Sequence, residues 1–376
     1  MHTLYDTIRK VLWPKFPFLY CLFVWSGIMM AGLWPLHRPR NEVAWVHDGP
    51  GLLLEGYNII LSSGIFDSSA SSCSIELLLT PGITHDSSTV LAFFTPDRPL
   101  QFLVRQHDDS VVIASDIGEK KQKSTLKQED VFQEGKRVFL AATISDTKTA
   151  VYVDGKLMRT FAPLPLAGRS CSGQLLLGNS PDRVDSWFGR LAGVAIYSKE
   201  LPQEDVVAHY KSWLEEHRPQ ILHKEDIVAL FLMNEAKGNV IHSEIGSGKD
   251  LYIPERYRLP RQPFLEPVWS EYAPSLNYWI SIGLNIAAFV PLGWFGYGYL
   301  PTGIHKNSAL LMTVFCGTAT SLTIEVLQAY LPTRHSGVTD IFTNSLGTLV
   351  GVLLWRRLTP KAAPEIWGQR SQRWSP

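Results

Sequence analysis

A chain of 376 residues has room for two or three domains, and its 35 basic and 35 acidic residues cancel to a formal charge of zero. No run of one sign stands out, so neither nucleic acid nor a generally anionic surface is implied as a partner. Four cysteines are too few for a disulfide scaffold and lack the CxxC spacing of a zinc site.

The overall composition hides a split between strongly apolar ends and a mixed middle. Arg9, Lys10 and Lys15 precede an apolar run over about 16–34, long enough to span a bilayer. Met30, Leu33 and Trp34 are bulky where a signal peptidase site wants small residues, which predicts an uncleaved anchor within 1–40. Trp25 and Trp34 suit an interfacial belt.

Over 41–255 the texture changes to short β-branched and apolar runs broken by turn signals. Examples are 73–79, 137–144, 150–153 and 174–177. Asp154 and Gly155 between two such runs predict a tight hairpin, because a type I′ turn needs two residues that tolerate positive φ. Many short strands at this spacing predict an all-β sandwich. Asp48, Asp154 and Asp182 read as turn residues rather than metal ligands. Cys21 and Cys316 sit in apolar segments, where a thiol behaves as a small hydrophobe. Cys73 and Cys171 lie in the mixed region and can form one disulfide if that region is exported, depending on strand geometry.

Five prolines, at 254, 260, 263, 267 and 274, mark 256–275 as a linker leading to the membrane. Three further spans are expected at about 278–300, 309–331 and 339–355, the last of them short, followed by a tail over 359–376. With the N-terminal helix they make a bundle of about four. Gly347 and Gly351 give the last helix a GxxxG face for close packing. Arg9, Lys10 and Lys15, Lys306, and Arg356, Arg357 and Lys361 fall on one side of four spans, the cytoplasm by the positive-inside rule. Arg38 and Arg40 count against this, but a long translocated region follows them. The sandwich and the Arg334 turn then face outside.

The membrane part is organised by its polar residues. Ser321, Glu325 and Gln328 recur at i, i+4 and i+7, and Asp340, Asn344, Gly347 and Gly351 repeat that spacing, so two polar stripes can face each other. A carboxylate in a membrane helix costs roughly 2.5 to 3.5 kcal/mol at the bilayer centre and usually has a partner. Arg334, in a turn opened by Pro332, is the expected one. Asn285, Glu325, Gln328, Arg334, Asp340 and Asn344 are the candidate site. The same residues also suit a role that only pins helices together.

The order Glu325, Gln328, Arg334, Asp340, Asn344, Gly347 resembles the VanZ family, named for a protein linked to teicoplanin resistance in bacteria. Asn285, Phe289, Pro291 and Gly293 resemble a second motif of that family. The resemblance covers 276–358 and implies a first helix that packs with the last three. In the middle region Val151 to Lys156 in sequence, then Leu177-Gly178-Asn179, then Phe188-Gly189-Arg190 and the run to Tyr197, resemble a laminin-G-like or concanavalin A-like jelly roll. That family often binds glycans or glycoproteins, and some members use calcium, but no calcium site carries over and no cofactor is expected. A further run over 227–238 resembles the strand that commonly opens such sandwiches, yet follows a helix here, which predicts a rearranged strand order.

The resulting expectation is a multi-pass protein of the bacterial inner membrane, with its sandwich in the periplasm or outside. The sandwich would bind a glycan or cell-wall polymer, and the polar cluster would meet a lipid-linked or amphiphilic molecule at the outer face, in envelope homeostasis or glycopeptide resistance. A membrane enzyme acting on a lipid-linked sugar or phosphate is the first alternative. A carboxylate beside an arginine would be held ionised and suit a base, but no nucleophile elbow, HExxH or phosphate loop is present. A membrane-anchored protein-interaction module is the second.

Overall fold

A computed structural model describes residues 16–66, 70–117, 122–164, 171–220, 226–246, 248–272, 275–301 and 303–358. Arg9, Lys10, Lys15, Lys361, Pro274 and the tail over 359–376 lie outside the described residues. The chain divides into two units, His37–Gln262 on the one hand and Met1–Leu36 with Pro263–Pro376 on the other.

The first unit is a sandwich of two antiparallel sheets. One runs β1 (Val43–Trp45), β2 (Leu52–Leu54), β13 (Gly189–Tyr197), β4 (Cys73–Pro81), β9 (Val138–Ile144), β10 (Thr149–Val153) and β11 (Lys156–Phe161). The other runs β15 (Val240–Ile241), β16 (Leu251–Tyr252), β3 (Ile60–Phe66), β12 (Gly173–Leu177), β5 (Ser87–Phe94), β6 (Phe102–His107), β7 (Ser110–Ile117) and β8 (Gln122–Gln128). The predicted hairpin is present: Val153 pairs with Lys156, and Asp154 and Gly155 take φ of 49° and 75°.

β14 (Ile227–Phe231) accounts for the misplaced opening strand. β13 uses Gly189 to Leu191 to pair β2 and Val194 to Tyr197 to pair β14, so two short strands share one of its edges. Both faces of the sheets are covered, which is why β9 is buried at every position. Val138, Leu140, Ala142 and Ile144 point into the layer between the sheets, while Phe139 and Ala141 lie under α2 (Gln203–Glu215) with Trp213 and Val206. A strand clothed on both sides reads as a continuous apolar run rather than an alternating one. Cys73, at the start of β4, is bonded to Cys171, just before β12, with Cα atoms 6.3 Å apart, so the bridge staples one sheet to the other.

Under α2 lies a buried carboxylate. Glu76 accepts from Tyr197 Oη and Trp213 Nε1, both at 3.0 Å, and from His209 Nδ1 at 2.7 Å. Burial lowers the His209 pKa, but the hydrogen bond and charge of Glu76 outweigh it and leave the imidazole above its ordinary value.

The second unit is helical: α1 (Phe16–Leu33), the short α3 (Val268–Glu271), α4 (Leu276–Tyr299), α5 (Lys306–Gln328) and α6 (Val338–Leu358). Among the described residues three helices, α4, α5 and α6, are long and apolar enough to cross a membrane, not four. The described part of α1 has 18 residues, about 27 Å at 1.5 Å per residue. It still packs on the others, with Val24, Ile28 and Leu33 against Phe289, Leu292 and Ile324. α6 has 21 residues, four more than the 17 predicted over 339–355, so no thinned bilayer needs to be invoked. The glycine face makes the expected close contact. A Cβ on Gly347 would lie 2.2 Å from Ile286 O, and one on Gly351 would lie 2.1 Å from Val290 O. Helix backbones of α4 and α6 therefore touch directly there.

The proline-rich stretch is not a free linker. Leu251 and Tyr252 pair with β3, and Tyr257 and Leu259 are buried against sheet side chains. Beyond Pro263, Glu266 forms a bridge to Gly337, and its N–H donates to Ser336 O at 2.9 Å. Prolines that break helices and ladders leave backbone groups to be satisfied, and each half of this segment satisfies them on its own unit.

Candidate functional site

The spacing of the polar stripes brings helices together in pairs. Asn285 Nδ2 on α4 donates to Asp340 Oδ1 on α6 at 2.7 Å. Asn344 Nδ2 on α6 donates to Ser321 Oγ on α5 at 2.9 Å. Gln328 Nε2, in the last turn of α5, donates to the Gly32 carbonyl of α1 at 2.7 Å. α5 stops at Gln328 because the chain turns before Pro332, whose ring excludes a helical residue ahead of it.

Arg334 differs from its expected role. Its Nε donates to Trp34 O at 2.6 Å and its Nη2 to Ala31 O at 3.1 Å. The guanidinium thus closes the C-terminal end of α1, where carbonyls lack helical partners and the helix dipole favours a cation. The carboxylates are met by other groups. Glu325, 1% exposed, accepts from the Gly337 N–H at 2.8 Å, and Asp340 accepts from Asn285.

A third carboxylate, Glu271, had no signal in the sequence beyond its place at the end of a short helix among prolines. Its Oε2 accepts the Thr339 N–H at 3.0 Å and also the Thr339 hydroxyl, capping the first turn of α6. It lies directly over Gly337: a Cβ there would sit 1.4 Å from Oε1, so a side chain at this position would have to displace the Glu271 carboxylate. Glu271, Glu325 and Asp340 thereby gather at the turn that opens α6, one of them capping the helix, one bonded to the turn's backbone and one bonded to α4. Such a group can bind a cationic or hydrogen-donating head, or take up a proton as a base. Among the described residues no group of three or more His, Cys, Asp or Glu could hold a metal ion.

The sandwich carries a separate groove of about 500 Å³, lined in part by Ile65, Phe94, Gln174, Tyr252, Arg258 and Arg261. Arg258 stacks over the Tyr252 ring at 5.9 Å and donates to its hydroxyl. Asp154 and Asp182 are turn residues. Asp154 accepts the Phe139 N–H at 3.0 Å. Asp182 accepts Ser180 Oγ at 2.8 Å; burial raises its pKa, but its bonds to Arg183 and Ser180 prevail and hold it below the usual range.

Residues 228–359 match the VanZ/LLP1 family model. Residues 56–207 match the concanavalin A-like lectin/glucanases superfamily. No curated protein matches the chain. A heptameric SAP-like pentraxin from Limulus polyphemus is similar at 11% identity and a TM-score of 0.38, covering 57% of this chain and 94% of that one. The binding domain of Paraclostridial Mosquitocidal Protein 1 is similar at 13% identity and a TM-score of 0.38, covering 47% of each chain. The botulinum neurotoxin type G receptor binding domain is similar at 14% identity and a TM-score of 0.37, covering 46% of this chain and 45% of that one. The chain spans about half the length of the last two, and at these scores none of the three bears on what it binds. The chain is a membrane protein that joins a concanavalin A-like domain to a VanZ-like C-terminal segment.

Proposed function

We propose that this is a bacterial cell-envelope protein of the inner membrane whose sandwich binds a glycan or surface polymer outside the cytoplasm. Its acidic site, at the outer end of the membrane helices, receives a lipid-linked or amphiphilic molecule. The observation that carries the reading is the gathering of Glu271, Glu325 and Asp340 at the turn before α6, with Glu325 buried at 1% exposure. Buried carboxylates in a membrane protein are costly and usually serve a ligand, an ion or a proton path. Lys306 and Arg356 meet at the opposite end of the helices, which supports a cytoplasmic assignment for that end. An aromatic ring beside arginines and a glutamine, as in the sandwich groove, suits a sugar ring with polar or acidic substituents.

The test is complementation of a deletion strain challenged with envelope-acting antibiotics. Glu325→Gln keeps the shape and removes the charge, so a folded protein that fails to complement is expected. Full complementation by both Glu325→Gln and Glu271→Gln would move the functional weight to the sandwich.

A further inference from the structure

A second cavity lies at the other end of the helical unit. It has a volume of about 390 Å³ and is walled by α1, α4 and α5, with Cys21, Trp25, Gly296, Tyr299, Cys316 and Thr320 among its lining residues. The walls are almost wholly apolar, and two of the few polar groups in them are bonded to neighbours. Thr313 Oγ1 donates to Ala309 O at 2.8 Å, and Trp25 Nε1 donates to Thr320 Oγ1 at 3.2 Å. Such a surface fits hydrocarbon, since it offers little to a polar head. Its space exists because Gly296 has no side chain: a Cβ there would meet only Thr313 Cγ2 at 3.4 Å and Cys21 Sγ at 3.8 Å.

The cavity runs from Trp25 and Thr320, well inside the helices, to Tyr299 at the end of α4. Basic groups stand at that end. Arg356 stacks over Tyr297 at 5.2 Å and donates to the Lys306 carbonyl, while Lys306 and Arg357 are exposed. A hydrocarbon slot that reaches the same end of the helices as these exposed cations is complementary to a lipid with one chain in the slot and a negative head outside it.

We infer that the groove between α1, α4 and α5 binds one acyl chain of an anionic glycerophospholipid from the leaflet next to Lys306, with the phosphate against Lys306 and Arg357. This site is independent of the acidic cluster at the opposite end and of the sandwich.

The protein carries its own probes. Cys21 and Cys316 line the groove, whereas Cys73 and Cys171 are bonded to each other, so maleimide labelling of the unreduced full-length protein reports on the groove alone. The intact protein, delipidated in detergent, is reconstituted into vesicles of phosphatidylglycerol or of phosphatidylcholine and labelled with N-ethylmaleimide. Occupancy of about nine-tenths slows labelling about tenfold, because only the empty fraction reacts; phosphatidylcholine offers the same chains without the anionic head, so the slowing is expected to be greater in phosphatidylglycerol than in phosphatidylcholine. Equal rates in the two lipids overturn the proposal. In parallel, native mass spectrometry counts phosphatidylglycerol retained by the wild type and by Gly296→Leu, whose side chain fills the slot. Loss of the bound lipid in that variant, with its melting temperature kept, supports the site. Retention of as much lipid as the wild type overturns it.

Discussion

Among the described residues two carboxylates, Glu76 and Glu325, are shut away from solvent, and their surroundings differ. Glu76, 0% exposed, is closed by three side-chain donors from a tyrosine, a tryptophan and a histidine. Glu325, 1% exposed, takes a backbone N–H from Gly337 and a hydrogen bond from the Ser336 side chain, and has Glu271 and Asp340 close by. A carboxylate saturated by protein donors fixes structure. One placed among other acids in a membrane protein is better suited to an incoming partner. Burial alone does not separate the two roles, whereas the identity of the donors does.

The largest effect expected is on the sandwich. Replacing both Cys73 and Cys171 by serine removes a bridge over a sequence separation of 98, and the chain-entropy model gives a loss of about 4 to 5 kcal/mol. Thermal unfolding of the oxidised wild type against the double variant measures it, and non-reducing thiol counts show whether the bond forms. Glu76→Ala comes next, because it strands buried donors on Tyr197, Trp213 and His209, at about 3 to 5 kcal/mol. A melting temperature within error of the wild type would refute the saturated-acid reading.

In the helical unit the corresponding break is steric. Gly351→Ala places a methyl 2.1 Å from Val290 O, and the helices must part at a cost of about 1 to 3 kcal/mol. Melting in detergent reads this directly. Gly283→Ala, where a Cβ meets nothing within 4 Å, is the matched control with no expected loss.

The smallest effect sharpens the contrast through pH. Because Glu76 holds the folded-state His209 pKa above its ordinary value of about 6.5, the pair's contribution is fully present below about pH 6.5. It fades as pH rises through the higher folded-state value. The melting-temperature gap between wild type and His209→Gln is therefore expected to be larger at about pH 5.5 than at about pH 9. A gap independent of pH would mean that folding leaves the imidazole pKa unshifted.

Much of this was legible from local pattern. The Asp154-Gly155 hairpin follows from two residues, and the facing polar stripes follow from helical spacing, which fixes a side chain's face before any neighbour is known. Two things were not legible for the same physical reason. Arg334 was expected to join acids a few residues away, but it closes a helix end about three hundred residues earlier in the chain, where bare carbonyls compete for it. Glu271 sat among prolines that signal a connector, and only the fold places it over Gly337.

The α1 end has a consequence for how the chain is made. Arg334 reaches Trp34 across a sequence separation of 300 residues, so at ~5 to 20 residues per second α1 waits about 15 to 60 s for that contact during synthesis. Through that interval the Ala31 and Trp34 carbonyls must be served by water or lipid head groups at the bilayer surface. Assembly of the helical unit is thus a late event on the ribosome, completed only after the whole sandwich has been made.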